Sequence, residues 1–294
     1  MKEVNGRRLK KLDTFNIVNV LILAIWAIVI VYPFYNAVII SLVSPTDYVK
    51  NPLMLIPKSI DLSAYEFILQ GKSLLVGYKN TSLILLFGLP YNITLTLTAA
   101  YVISRDKFPG KRVIVFLIYF TMFFSGGMIP SYLLIKGLGL INSLASVILL
   151  YGVNTFYLII SRTYFETIPP SMTESAKIDG ANDIVILLKI MIPLAKPIIA
   201  TIFLFYTVDR WNEWFNAMLY LNGVGKSPIQ LVLRNIINNA YAAVSTSVAR
   251  TQIPSFSDGV KMAAVVMTMT PVIILYPFVQ KYFVKGMLVG AVKS

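Results

Sequence analysis

Asp209, Arg210, Trp211, Asn212, Glu213, Trp214 and Asn216 put two carboxylates, a guanidinium, two amides and two indoles into eight residues of an apolar region. Each ionised side chain at the centre of a bilayer costs about 2.5–3.5 kcal/mol on insertion scales, so these groups must face protein or a wet cavity. Three kinds of chemistry are open to them. Arg210 and Glu213 stand three residues apart and share a helix face, so they can pair and hold this helix against its neighbours as a buried salt-bridge network. Alternatively, the carboxylates with Asn212 or Asn216 can bond sugar hydroxyls while Trp211 or Trp214 offers a flat apolar face. An arginine at that depth would also suit an acidic sugar. Thirdly, Asp209, Arg210 and Glu213 can relay ions or protons, as in a secondary transporter or channel. Tyr91 and Asn92, just after Pro90, and Asn154 are candidates to line the same cavity; their simpler role is hydrogen bonding between helices.

Covalent chemistry is poorly served. The chain has no cysteine and no histidine. Thiolate nucleophiles and sulfur-ligated metals are therefore excluded, and the usual general base is missing. The sequence predicts no enzyme, no metal site and no cofactor site on this chain. "GVGKS" at 223–227 resembles the end of a phosphate-binding loop, but the glycine such a loop needs five positions before Gly225 is Tyr220. It reads as a surface turn, so any ATP must be hydrolysed elsewhere.

The elements that must hold these residues follow from composition. Of 294 residues 57% are hydrophobic and 13% charged, with a mean hydropathy of +0.73, whereas soluble domains carry about 25% charged residues. The chain reads as one all-α, polytopic membrane domain over 1–294. Six stretches approach the roughly 20 apolar residues needed to cross a bilayer: about 15–42, 80–103, 112–134, 143–164, 196–221 and 260–283. Gly126, Gly127 and Pro130 interrupt the third, which suggests a half-buried or re-entrant segment facing protein. The first follows a basic head but is too long for a signal peptide and reads as an anchor.

With both termini placed in the cytoplasm, the inner side holds roughly twice the lysines and arginines of the outer loops, the bias expected of inner segments. The net charge of +13 then reflects flanking cations rather than nucleic-acid binding. The outer loop 222–259 contains "PIQLVLRNIINNAYAAV", a plausible helix along the outer surface.

This topology leaves residues 165–195 in the cytoplasm, including "ESAKIDGANDIVILLKIMIPLAKP". Ser171 stands three residues before Glu174, the spacing of a capping box that would start a helix. Ser175 and Ala176 give that helix a small-residue surface that another body can approach. Gly180 should stop it, and Asn182 or Asp183 can cap a second helix running to about Ile190. Pro193 and Pro197 set the entry into the fifth span. The result is a helix–turn–helix platform under the membrane, suited to receiving a push from a soluble partner.

The same stretch resembles the EAA signature of the permease subunits of bacterial ABC importers, carried here by Glu174, Ala176, Asp179, Gly180, Ala181, Ile190 and Pro193. Ser175 and Ile192 depart from it by close substitutions. "SGGMIPSYLLIKGLGLINS", "FYTVDRWNEWFNAMLYL", "QLVLRNI" and "YPFVQKYFVKGMLVGAVKS" are similar to carbohydrate-uptake permeases, in the branch associated with aldouronates and other plant-polysaccharide fragments.

The resemblance implies a type I importer fold in the plasma or inner membrane. It also implies a second homologous permease, a dimer of cytoplasmic ATPases that hold the ATP and magnesium, and an extracytoplasmic binding protein or lipoprotein that delivers an oligosaccharide. Glu174 to Ala181 would form the coupling helix against the ATPase. The partner permease would carry much of the solute site.

Overall fold

Backbone crossing lipid must satisfy its own hydrogen bonds, and long apolar runs do so as helices. The computed structural model describes residues 14–52, 54–105, 109–245 and 257–291, which contain helices and turns and no strand. The helices are α1 (Thr14–Ser41), α2 (Pro45–Lys50), α3 (Ser63–Gln70), α4 (Ser73–Ser104), α5 (Lys111–Phe123), α6 (Met128–Gly137), α7 (Leu144–Leu150), α8 (Thr155–Glu166), α9 (Pro170–Ile178), α10 (Asp183–Ile186), α11 (Ile192–Leu194), α12 (Lys196–Trp211), α13 (Phe215–Tyr220), α14 (Ile229–Ser245) and α15 (Ser257–Ala291). The basic head before residue 14 and the centre of the Ser104–Arg112 turn lie outside the described residues.

Two long helices, α4 and α15, form the frame. The core on one side of α4 gathers Leu97, Ala100, Leu158, Phe165, Ile186, Ile202 and Tyr206, so that α8, α10 and α12 pack against it. On the other side Leu74 meets Ile229, Val232, Val260 and Ala263 from α14 and α15. The helix expected within 222–259 is α14. One face of its first turns is packed: Ile229, Leu231 and Val232 are buried, and the Ile229 N–H donates to Thr81 Oγ1 at 2.8 Å inside the bundle.

Three helices are individually long and apolar enough to cross a membrane: α1, α4 and the Asp258–Leu275 part of α15. The other apolar stretches are broken. α5 and α6 meet at 114°, α7 and α8 at 45°, and Asp183–Leu194 meets α12 at 84°. The expected spans 112–134 and 143–164 are therefore not single helices, and 196–221 divides into α12 and α13.

The breaks have local causes. Gly127 takes φ +89 between α5 and α6. The α5–α6 break was expected to face protein, yet Phe123 and Phe124 are exposed on this chain. Between α12 and α13, the Glu213 carboxylate accepts from the Asn216 N–H at 3.1 Å and replaces helical bonds with a local turn. The α7–α8 break belongs to the site.

Candidate functional site

Two polar regions stand out in this apolar chain, one near the middle of the bundle and one at its end. In the first, Arg210 lies in the last turn of α12 with 3% of its surface exposed. Its guanidinium reaches the end of α7, where the last carbonyls of any helix lack intrahelical partners. Nη1 donates to Val147 O at 2.6 Å. Nη2 donates to Ile148 O at 2.9 Å and to Tyr151 O at 3.1 Å. Nε donates to Asn92 Oδ1 at 3.1 Å.

Asn92, fully buried on α4, completes the cap: its Nδ2 donates to Tyr151 O at 2.7 Å and Gly152 O at 2.8 Å. A cation at a helix C-terminus also complements the helix dipole. The break between α7 and α8 is thus held open by Arg210 and Asn92. Gly152 fits the turn because a Cβ there would sit 2.9 Å from the Tyr91 hydroxyl.

α8 restarts immediately beyond. Asn154 is its N-cap, with Oδ1 accepting from Phe156 N at 2.9 Å and Tyr157 N at 3.4 Å. The Asn154 N–H donates to Tyr206 Oη at 3.0 Å, and that hydroxyl also bonds Thr96 Oγ1 at 2.7 Å. Tyr157 Oη donates to Asp209 Oδ2 at 2.9 Å. A cavity of about 220 Å³ opens here, bounded by Asn154, Tyr206, Asp209, Arg210 and Glu213 among others.

The expected Arg210–Glu213 pair does not form. α12 ends at Trp211, so the two side chains do not share a helix face. Glu213 instead takes Asn216 Nδ2 on both carboxylate oxygens, at 3.1 and 3.0 Å. Asn212 leaves the cluster too, and its Oδ1 accepts from Gln230 Nε2 at 3.3 Å. Neither tryptophan is an open platform. Trp211 is buried beside Tyr78 at 6.4 Å. Arg234 lies over Trp214, 3.9 Å from the ring centroid. Of the residues the sequence named, Asn92, Asn154 and Asp209 join this network, but the carbonyls of α7, which have no signature in residue type, were missed.

The second region is α9 to α11. Pro169 and Pro170 start α9 two residues before the capping box would, since proline at the first helical position is pre-set for the helix. Ser171 therefore makes no cap, and Glu174 sits exposed in the second turn.

Gly180 behaves as expected. It takes φ +83, its N–H donates to Lys177 O at 3.1 Å, and the Ala181 N–H donates to Ala176 O at 2.9 Å. These two bonds make a Schellman end, with Asp179 as the C-cap. Asn182 caps α10 by accepting from Val185 N at 2.9 Å. The second helix does not run evenly to Ile190. After α10, Leu187–Met191 is a π turn. Pro193 has no N–H and its ring crowds the carbonyl four residues earlier, and the wider turn relieves that conflict.

The faces of the platform are distinct. Ala176 and Ala181 pack inward on the core of Phe165, Ile186 and Leu187, so Ala176 is not part of the open surface the sequence suggested. Outward lie Glu174, Ser175, Lys177 and Asp179. With them, Ile178 is 86% exposed, Ile184 69% and Met172 50%. Sequence reasoning overlooked these three apolar residues because single hydrophobics in a polar segment carry no pattern. Ile190 is half-buried in the π turn and Pro193 is exposed. Lys177 and Asp183 pair at 3.4 Å across the glycine turn. Tyr101 Oη donates to Asp183 Oδ1 at 3.3 Å, joining the platform to α4.

No family model matches the chain. Individual proteins do. Over 92% of its length it is 41% identical to the polygalacturonan/rhamnogalacturonan transport system permease protein YtcP of Bacillus subtilis (strain 168), covering 96% of that protein. It is 35% identical to protein LplC of the same organism, with 95% of each chain covered. Among solved structures it is similar to a chain from a bacterial ABC transporter involved in the import of the acidic polysaccharide alginate, with TM-score 0.82, 36% identity, and 96% of this chain and 100% of that one covered. Similarity of that extent, over nearly whole chains and in both sequence and fold, establishes that this protein belongs to the permease subunits of bacterial ABC carbohydrate importers.

Proposed function

We propose that this chain crosses the membrane six times with both termini inside, pairs with a second homologous permease, and carries an oligosaccharide inward. The three single helices, the α5–α6 and α7–α8 pairs, and α12 with α13 supply the crossings. The sugar arrives from an extracytoplasmic binding protein, and a dimer of ATPases holding ATP and magnesium docks on residues 170–182 from the cytoplasm. Plant-polysaccharide or other uronate-containing fragments are the substrate class suggested by the named relatives.

The observation that carries this reading is the outward face of α9. Ile178, 86% exposed on a polar helix, together with Glu174 and Lys177, makes a small amphipathic knob whose base is fixed by the Gly180 turn. Apolar side chains in such a setting gain free energy only when a partner removes them from water. Asp179, Gly180 and Ala181 hold the turn, while Ile190 and Pro193 shape the bend that leads into α12. Movement of α9 would then be passed to α12 and to the Arg210 cluster along one continuous stretch of chain. Family membership favours this scheme over an ion-coupled carrier built on Asp209, Arg210 and Glu213.

The test is reconstitution of this chain with its partner permease and ATPases in proteoliposomes, with the binding protein added outside. Uptake of a pectic oligosaccharide should require ATP enclosed within the vesicles, on the side of the ATPases, and should persist when ion gradients are collapsed. Uptake that follows an ion gradient without ATP would refute it.

A further inference from the structure

The break between α7 and α8 finishes the fold with some of its groups and leaves others over at the cavity it opens. Asn154 shows the division. Its Oδ1 caps α8 by accepting from Phe156 N and Tyr157 N. Its side-chain amide can donate twice, yet it bonds nothing among the described residues and lines the cavity. Tyr151 is divided in the same way. Its carbonyl accepts from Arg210 Nη2 and Asn92 Nδ2. Its hydroxyl has no partner among the described residues, and the residue is 54% exposed at the cavity.

Acceptors line the same space. Asp209 Oδ2 accepts from Tyr157, and Oδ1 is left open. Glu213 takes its bonds from Asn216, two on Oε1 and one on Oε2, which leaves a lone pair on Oε2. Arg210 is nearly spent, with one Nη1 hydrogen left after its bonds to Asn92 and the α7 carbonyls. Val153 adds apolar surface.

A wall with both free donors and free acceptors is poorly matched to a simple ion. A metal cation would meet the amide and phenol hydrogens, and a small anion would meet Asp209 and Glu213. A hydroxyl donates once and accepts twice, so the neighbouring hydroxyls of a saccharide satisfy both kinds of group. At about 220 Å³ the cavity equals roughly seven waters at about 30 Å³ each. It falls below the roughly 300–1,000 Å³ of pockets for drug-sized ligands, so it has room for one ring of an oligosaccharide and not for a chain.

We propose that this cavity is a subsite for a single ring of the transported saccharide, with Asn154 Nδ2 and Tyr151 Oη donating to oxygens of that ring and Asp209 Oδ1 accepting from one of its hydroxyls. The proposal rests on the transport reading above. It gives this subunit a direct contact with the solute, made by the ends of Asn154 and Tyr151 that the fold does not use.

Because the chain has no cysteine, Val153→Cys places a single thiol at the cavity. In the reconstituted transporter, with ATP and the binding protein present, the rate of thiol modification by a small methanethiosulfonate reagent is measured with and without a galacturonate trisaccharide. The sugar should slow modification at least threefold. Tyr151→Phe removes only the hydroxyl, and Asn154→Asp keeps an oxygen for the α8 cap while removing the amide donors. Added singly to Val153→Cys, each should at least halve that protection. A rate that sugar leaves unchanged in a transporter that takes the sugar up means the cavity holds water alone, and overturns the proposal. Protection kept in full by both added variants means that closure of the protein covers the thiol, and overturns it too. If Val153→Cys does not transport, uptake by Tyr151→Phe alone decides: a fall of at least threefold at matched membrane levels supports the subsite, and wild-type uptake overturns it. Absence of ATP-dependent uptake by the wild type removes the transport reading and this subsite with it.

Discussion

The Arg210 cluster and the α9 platform are both polar interruptions of an apolar chain, yet they are finished to different degrees. At Arg210 the buried donors and the carbonyls of α7 meet within the chain, and the residue is 3% exposed. On α9 the inner face is packed, but Ile178 is 86% exposed and Ser175 is exposed beside it. A buried polar group without partners is expensive, so the first cluster must be complete for the chain to fold. An exposed knob costs little and can wait for another protein. The difference separates a residue kept for architecture from one kept for contact, and it can be broken by mutation.

The largest effect on folding is expected at the cluster. Arg210→Ala leaves Val147 O, Ile148 O and the Asn92 side chain short of partners, each worth about 1–3 kcal/mol when buried. Membrane levels and thermal stability in detergent should both fall sharply, and Arg210→Lys should recover only part of the loss because an ammonium cannot match the fork. Next, Ile178→Asp should leave insertion and thermal stability near wild type. Co-purification with the ATPases should drop at least tenfold, because a charge would replace the apolar contact.

Gly180→Val places a β-branched residue at φ +83, a left-handed conformation that costs about 1–2 kcal/mol. The expected result is normal insertion with ATP hydrolysis uncoupled from uptake. Asn182→Ala removes one helix cap worth about 1 kcal/mol, and a partial fall in coupling, well short of that of Gly180→Val, should follow.

The sequence revealed these two regions unequally. Hydropathy found the apolar segments, and Gly180 announced its turn because few residues tolerate positive φ. The breaks at Tyr151–Asn154 and Asn212–Trp214 were hidden, since both interrupt stretches that stay apolar on average. Arg210 was visible as a misplaced charge, but its partners are main-chain carbonyls, so the nearby Glu213 looked like the obvious counter-ion. Ser171 and Glu174 had capping-box spacing, and Pro170 overrode it. Ile178 escaped notice because its meaning depends on which way α9 faces. Local turn chemistry can be read from residue types; partners contributed by backbone from another helix cannot.

The central claim is that the outward face of α9 meets a cytoplasmic ATPase. Because the chain has no cysteine, Ser175→Cys introduces a single thiol on that exposed face. A membrane-impermeant maleimide applied to inside-out and right-side-out vesicles reads its side and its cover. The account predicts labelling only in inside-out vesicles stripped of ATPase, and protection once the ATPases are bound again. Labelling from the external side, or labelling undiminished by bound ATPase, would contradict it.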